Sequence, residues 1–458
     1  MTTIGNIFEI GRGALLTYQQ GVNLTSHNIA NANTPGYSRQ QLNLETAVAY
    51  NTDSGAVGTG VSANGIERVY DRFITGQINQ ENASLGEWEA RTAVLSRAEV
   101  IFNEASGSGL GQSMTDFWNA WQDLSNAPAG MTERTALVAK AETMTAHFQS
   151  AREGLSAIER DVTGQMADTV DEITTLSARI ADLNDKIGQI EAGGGSAHEF
   201  RDQRDLALKD LSKLVDIQTV ETAGGMVSVS LAGAGTPLVN DTAVAGNGSP
   251  LTIDTATGAI ADAAGTSVSV TGGTLKGLQE SRNTEIAGYI ADLDALAETL
   301  MTQVNAGHRN GLGLDGSTGV DFFSGTSAAD MAVHAEIGGD INRIAAAGPG
   351  ERIPGGNGNA LMIADLQHSL VMNGGQSSFD EYHSSLVSRA GNAAQGAAQG
   401  ASYQSEMLSQ LEAQRESISG VSLDEEMIQL VQFQNAYQAA SKLITVADEL
   451  LDTVINML

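Results

Sequence analysis

The chain has 458 residues, 41% hydrophobic and 5% aromatic, with 52 glycines; it is long enough for roughly two to four domains and a sizeable core, but poorly supplied for large aromatic-lined pockets. Its 24 basic side chains against 55 acidic ones leave a formal charge of −31, and a surface this acidic repels nucleic acid and anionic membrane, so neither is expected as a partner. Cysteine is absent, which excludes thiol catalysis, disulfides and Cys-ligated metals and fits export from the cell.

The first residues, MTTIGNIFEIGRG, show no basic stretch followed by an apolar run, so no cleaved secretory signal is expected. No uninterrupted apolar stretch approaches the roughly 18 residues of a membrane helix. From Ile4 the positions Phe8, Gly11, Leu15, Tyr18, Val22, Thr25 and Ile29 follow at steps of four and three, the pattern of a helix with a narrow apolar seam. Glu9, Arg12 and Arg39 are the only charges in residues 1–44. A solvated helix normally carries charge across its outer face, so this one is buried either within its own domain or against other subunits. Residues 28–40, NIANANTPGYSRQ, then stop it: Pro cannot continue a helix, and Asn and Gly accept left-handed backbone.

Residues 72–104 keep an apolar helical face through Ile74, Ile78, Leu85, Trp88, Leu95 and Phe102, and a second short helix through Leu110, Met114, Phe117, Trp121 and Leu124 stops at NAPAG. With Thr132 as cap, a seam runs from Leu137 through Phe148 to Val162 and, after a one-residue slip, from Ile173 to Ile190. A helix of that extent reaches roughly 90 Å. After a short helix through Leu208, Leu211 and Leu214 come IQTVE, MVSVSL, PLVN, LTID and SVSVT, short β-branched runs between turn residues. Helix resumes from Leu275 to about Val304, residues 307–360 are Gly-rich without a strong period, and helix returns over about 377–419. In the last segment Leu423, Leu430, Tyr437, Ile444, Leu451 and Leu458 recur every seven residues, with Phe433, Ala440, Ala447 and Val454 at the second seam position, a coiled-coil pattern.

The expected fold is mainly α with a small β insert. The terminal helices pair as a coiled coil in an inner domain (1–45 and 415–458). A long helical bundle follows (46–216, 275–306 and 361–414), with an outer β-rich domain (217–274) and an irregular Gly-rich region, also placed outside (307–360).

Motifs for chemistry mostly fail. GLGLDG at 311–316 matches GxGxxG, but a helix precedes it where a dinucleotide site needs a strand. His198-Glu199 lacks the second His of a zinc-binding helix, and the other histidines are scattered. RDQRD at 201–205 reads as a charge-alternating helix start whose arginines pair locally. No catalytic residue, metal site or cofactor is expected. The rival reading is a secreted hydrolase using Asp or Glu pairs in the 217–360 region, which requires a deep pocket with two converging carboxylates.

ANANTPGYSRQ, behind SHNIANANT, resembles the N-terminal signature of the flagellar axial proteins, the rod, hook and hook-associated subunits. GYSRQ in place of a Gly-Phe-Lys sequence, together with EFRDQRDLALKDLSKLVDI, the stretch from GGTLKGLQESRN to GLGLDGSTGVDFF, SGVSLDEEM and LVQFQNAYQAASKLITVADELLDTVINML, is similar to the hook-associated members rather than to hook or distal rod subunits. The resemblance implies a structural subunit at the junction of hook and filament. It implies terminal helices in an inner tube, copies of the chain in a ring, and neighbours on the hook-protein side and on the side of a second junction protein and flagellin. It also implies export by the flagellar type III pathway to the cell exterior, with an export chaperone on the C-terminal helix. The turn would end the inner helix between shells, and residues 37–40 would lie against a neighbouring copy. Candidate assembly residues are Phe8, Leu15, Val22 and Ile29 on the first helix, Asn31, Asn33, Thr34, Pro35, Gly36, Tyr37 and Arg39 in the turn, and Leu423, Leu430, Phe433, Tyr437, Ile444, Leu451, Val454 and Leu458 on the last helix.

Overall fold

The computed structural model describes residues 2–52, 55–102 and 109–456. Helix α1 (Thr2–Asn31) is followed by strands β1 (Gln40–Thr46), β2 (Tyr50–Thr52), β3 (Gly55–Val57) and β4 (Val61–Arg68). These make two antiparallel ribbons, β1 with β4 and β2 with β3, a hairpin arm across the boundary that the sequence set at residue 45 between inner domain and helical bundle. The alternation there is short and broken by Asn and Gly, too weak to announce strands. Residues 60 and 61 at the start of β4 approach α1, with the Val61 carbonyl beside Gly13 and Gly60 against Ile10.

The helical body is built from α2 (Arg72–Phe102), α3 (Leu110–Asn126), α4 (Met131–Ala192) and α5 (His198–Leu214). Leu137, Ala141, Met144, Phe148, Leu155, Ile158 and Val162 on α4 are buried, and the stripe continues through Met166, Ile173, Ile180 and Ile187 on one unbroken helix of 62 residues. Thr132 is not its cap. The N-cap is Gly130, which offers no side-chain hydrogen bond, and Thr132 lies within the first turn.

Strands β5 (Ile217–Glu221), β6 (Val227–Leu231), β7 (Pro237–Asn240) and β8 (Ala243–Val244) form one four-stranded antiparallel sheet in chain order, and β9 (Leu251–Ile253) pairs with β10 (Ile260–Asp262). SVSVT, expected as a strand, makes only an isolated bridge from Ser267 to Ala261. The chain then returns to the body through α6 (Thr274–Glu280), a π-helical turn over Ser281–Ile286, and α7 (Ala287–Asn310).

The Gly-rich region holds β11 (Phe323–Ser324), β12 (Ala332–Val333), α8 (Ala335–Gly339) and α9 (Gly358–Ala364). It is packed into the core: Phe322 and Phe323 are buried against Phe117, and Trp121 stacks edgewise near His308 and Phe322. Arg134, also buried, donates to the carbonyls of Pro128, Ile341 and Ile344 and so ties α4 to this region. His308 accepts from the Ala345 N–H while its other ring nitrogen faces the Val320 carbonyl, and burial pushes its pKa down to about 4. That histidine is a neutral strut. Finally α10 (Phe379–Ser419), opened by a Ser378–Glu381 capping box, packs along α2, and α11 (Leu423–Asn456) packs along α1. No helix among the described residues is long and apolar enough to cross a membrane.

Candidate functional site

The two ends of the chain pair: α1 and α11 run antiparallel, with Gly11 beside Ile444, Gly21 beside Phe433 and Asn28 beside Glu426. A Cβ at Gly21 would stand 2.9 Å from the Phe433 ring and one at Gly11 2.7 Å from Ile444, so these two positions set how closely the helices approach. The buried face of α1 runs through Gly11, Thr17, Gly21, Leu24, Thr25 and Asn28, whereas Phe8, Leu15, Val22 and Ile29 are half-buried. The seam in use keeps Gly11 and Thr25 of the expected one and shifts from its large side chains toward Thr17, Gly21, Leu24 and Asn28, because glycine admits the closer contact.

One helix does not cover α11. Leu430, Phe433 and Ile444 are half-buried, and Ala440 and Ala447 are buried, but Leu423 is 49%, Tyr437 39%, Leu451 36% and Val454 39% exposed. Met427, Ile428, Val431, Val446 and Ile455 are more than half exposed beside them. An uncovered apolar stripe of this length marks a surface for protein partners. Leu458 lies outside the described residues.

Beneath this pair the turn is held by a polar network whose centre is Asn28. Its Nδ2 donates to the Gln40 carbonyl (2.8 Å) and to Glu426 Oε2 (3.0 Å), and its Oδ1 accepts from the Tyr37 hydroxyl (2.7 Å) and the Gln40 N–H (3.1 Å). All four hydrogen-bonding positions of the amide are used. Asn31 donates to the His27 carbonyl and accepts from the Thr34 hydroxyl, and Thr34 N–H caps the Asn31 carbonyl. Gly36 takes φ +79°, where its missing Cβ leaves room beside Leu206 of α5. Asn33, Thr34 and Pro35 are exposed, and Pro35 and Gly36 line a groove of about 500 Å³ between α5 and α10.

Arg39 and Tyr37, which the resemblance places against a neighbouring copy, make these contacts within the chain. Arg39 pairs with Glu425 (2.9 Å) and with the buried Glu426 (3.2 Å), and its N–H bonds the Ser419 carbonyl at the α10–α11 corner. Next door the Ser38 N–H donates to Asp202, and Arg68 of β4 bridges Asp202 (2.9 Å) and Asp205 (2.6 Å) of α5. Burial raises the Asp202 carboxyl to about 6, opposed by Arg68, and burial with the nearby carboxylates Asp202, Glu426 and Glu199 raises the Tyr37 phenol well above its ordinary range. RDQRD therefore does not pair locally. Arg201 grips Glu191 and Glu221, and buried Arg204 donates to Asn184 and the Gly225 carbonyl.

Sequence reasoning missed Asn28, Arg68, Asp202 and Glu426. Asn28, Asp202 and Glu426 sit in stretches already singled out and Arg68 does not, yet their roles join segments up to 398 residues apart, and no local pattern carries that. In the 217–360 region, the carboxyls of Asp254, Asp315, Asp330 and Glu351 all move below their ordinary range, held by hydrogen bonds from turn N–H and hydroxyl groups, Asp330 down to about 2. A general acid needs the opposite shift, which Glu285 of this region shows through burial; its carboxylate is paired with Arg91 of α2.

Three family comparisons match along the chain: the family described as flagellar hook-associated protein FlgK helical domain over residues 95–323, the flagella basal body rod protein family over 8–37, and the flagellar basal body rod FlgEFG protein C-terminal family over 412–457. Flagellar hook-associated protein 1 of Bacillus subtilis strain 168 is 31% identical, with 100% of this chain and 99% of the relative covered. The protein of the same name from Escherichia coli K12 is 25% identical over 96% and 97% of the two chains. The solved structure of the flagellar hook junction protein FlgK from Burkholderia pseudomallei is similar with a TM-score of 0.67 at 16% identity, covering 75% of this chain and 100% of that one.

Proposed function

Because the chain belongs to the flagellar hook-associated protein family, we propose that it works as a structural subunit of the bacterial flagellum at the junction between hook and filament, on which filament assembly depends. The rod-family matches at the two ends would suit any axial subunit; the helical-domain match over 95–323 separates this chain from hook and rod proteins.

The observation that carries the reading is the uncovered apolar stripe of α11 beside a stiffly jointed turn. In a tube, α1 and α11 line the inside, neighbouring copies in a ring cover the stripe, and the joint around Asn28 fixes the angle at which the helical body leaves. Phe8, Leu15, Val22 and Ile29, the turn residues, and the exposed positions of α11 are the contact set. Hook protein lies on one side, and a second junction protein and flagellin on the other. The same stripe needs cover before assembly, which suits an export chaperone on α11 during passage through the flagellar type III pathway to the cell exterior.

The experiment is deletion of residues 451–458. It removes Leu451, Val454 and Ile455, which stand exposed on the folded chain, so the truncated protein keeps its helical body while cells make bare hooks and release flagellin into the medium. Cells that still carry normal filaments would refute the junction function.

A further inference from the structure

The chain passes between the terminal unit (α1, β1 to β4 and α11) and the helical body at residues 69–71 and again at 420–422. Both crossings are free of helix and strand. They also lie side by side: the Arg39 N–H donates to the Ser419 carbonyl (2.9 Å), and the Arg39 carbonyl accepts from the Val69 N–H (2.8 Å). Two adjacent crossings pinned to one residue define an axis, and hinges are built from such short stretches at element ends.

Little apolar contact joins the two parts. Every residue of the hydrophobic clusters lies between Ile74 and Leu411, inside the body, and among the described residues no helix or strand of the terminal unit packs along one of the body. Away from the axis the contacts are polar and fall on the first half of α5. His198 meets the Ile66 carbonyl (2.9 Å), Glu199 faces His27 (3.6 Å), Asp202 accepts from the Ser38 N–H (3.2 Å), and Asp202 and Asp205 together hold Arg68.

This contact is a thin wall between two hollows. On one side is a cleft of about 850 Å³ lined by β4, α5 and β5, and on the other the groove of about 500 Å³ lined by the turn, α5 and α10; Asp205 and Asn79 line both. Within the wall Arg68 Nε and Asn79 Oδ1 have no hydrogen-bond partner among the described residues. A buried polar atom left unmet forfeits its hydration, and a buried ion pair gains little over its hydrated halves, so admitting water here costs little. The Asn28 amide, with all four hydrogen-bonding positions filled, instead holds turn and terminal helices as one piece.

We propose that the terminal unit swings as one piece about the Arg39 axis, and that Arg68 with Asp202 and Asp205 is the latch that holds it against α5. The turn fixes the angle of the body only while the latch is closed. The motion belongs to the single chain and does not depend on the junction function.

The chain contains no cysteine, so a pair of introduced thiols carries spin labels cleanly. Asn23→Cys on α1 and Glu172→Cys on α4, both exposed, are labelled in the full chain, and the distance between them is read by pulsed electron resonance. One main distance is expected with the latch intact. Arg68→Gln is expected to replace it by a broad spread, and Asp205→Asn, which leaves Arg68 its bond to Asp202, by a smaller one. Amide exchange within α1, α11 and α4 is expected to stay at its native rate in both variants. The proposal is overturned if Arg68→Gln keeps the native distance, if the unaltered chain is already as spread as that variant, or if exchange in α1 and α11 accelerates with the spread, which is melting of the unit and not a swing. Should Arg68→Gln fail to fold, Asp205→Asn decides, and a folded Asp205→Asn chain with the native distance overturns the latch.

Discussion

The hydroxyl of Tyr37 donates a 2.7 Å hydrogen bond to Oδ1 of Asn28, nine residues earlier in the chain, and this bond folds the turn back onto the helix it has just left. Asn28 simultaneously donates to Glu426 of α11, whose side chain is 1% exposed. Asn28→Ala therefore strips Glu426, Tyr37 and Gln40 of a shared partner in a buried setting, at a cost of about 2–4 kcal/mol. Hydrogen exchange is expected to accelerate in residues 37–46 and at the start of α11 while α4 stays protected. Tyr37→Phe, which leaves Asn28 its other bonds, costs only about 0.5–1.5 kcal/mol.

Asp202 is expected to titrate near 6, and its sign is the reverse of a paired surface carboxylate. With the folded pKa above the unfolded one, the native state holds the extra proton between about pH 4 and 6, so this group favours the folded state at the acid end and costs stability as pH rises through 6. Carboxyl chemical shifts should follow that midpoint, and Asp202→Asn should flatten the stability profile between pH 4 and 6 by roughly 1–3 kcal/mol.

The turn residues separate folding from assembly. Ala at Gly36 forces a positive-φ residue to carry a Cβ, costing about 1 kcal/mol, and Ala at Pro35 removes a helix stop. The double variant is expected to unfold within a few degrees of the native protein by calorimetry, to reach the medium, and to fail to support filaments. Swimming cells would reduce the turn to a local terminator.

On α11 the exposed and covered faces predict opposite outcomes. Leu451→Ser with Val454→Ser should leave monomer stability within about 0.5 kcal/mol per site yet abolish filament growth. Gly21→Val, which drives a side chain into the Phe433 ring, should separate α1 from α11 and destabilise that pair by about 1–3 kcal/mol, read as faster exchange of both helices in the free chain.

The sequence by itself determined the helices, because α2, α3, α4 and α10 each carry a buried stripe at helical spacing, and the terminal helices an apolar periodicity, that need no distant information. Strands β5, β6, β7 and β9 were legible for the same local reason, as β-branched runs between turn residues. The motif at residues 28–40 was legible as a turn because Pro35 and Gly36 constrain their own backbone. Only the tertiary structure decided what that turn grips. The bonds from Asn28 to Glu426, Ser38 to Asp202 and Arg68 to Asp205 span 398, 164 and 137 residues, and a long-range polar pair leaves no period in the sequence. It also decided which residues of α1 meet α11 most closely: the expected seam contained Gly11 among its large side chains, but Gly21, outside it, is the second point where the backbones come close. The packing of the Gly-rich region onto Phe117 and Trp121 was hidden likewise, since burial in irregular backbone follows from what lies opposite in space and has no repeat to betray it.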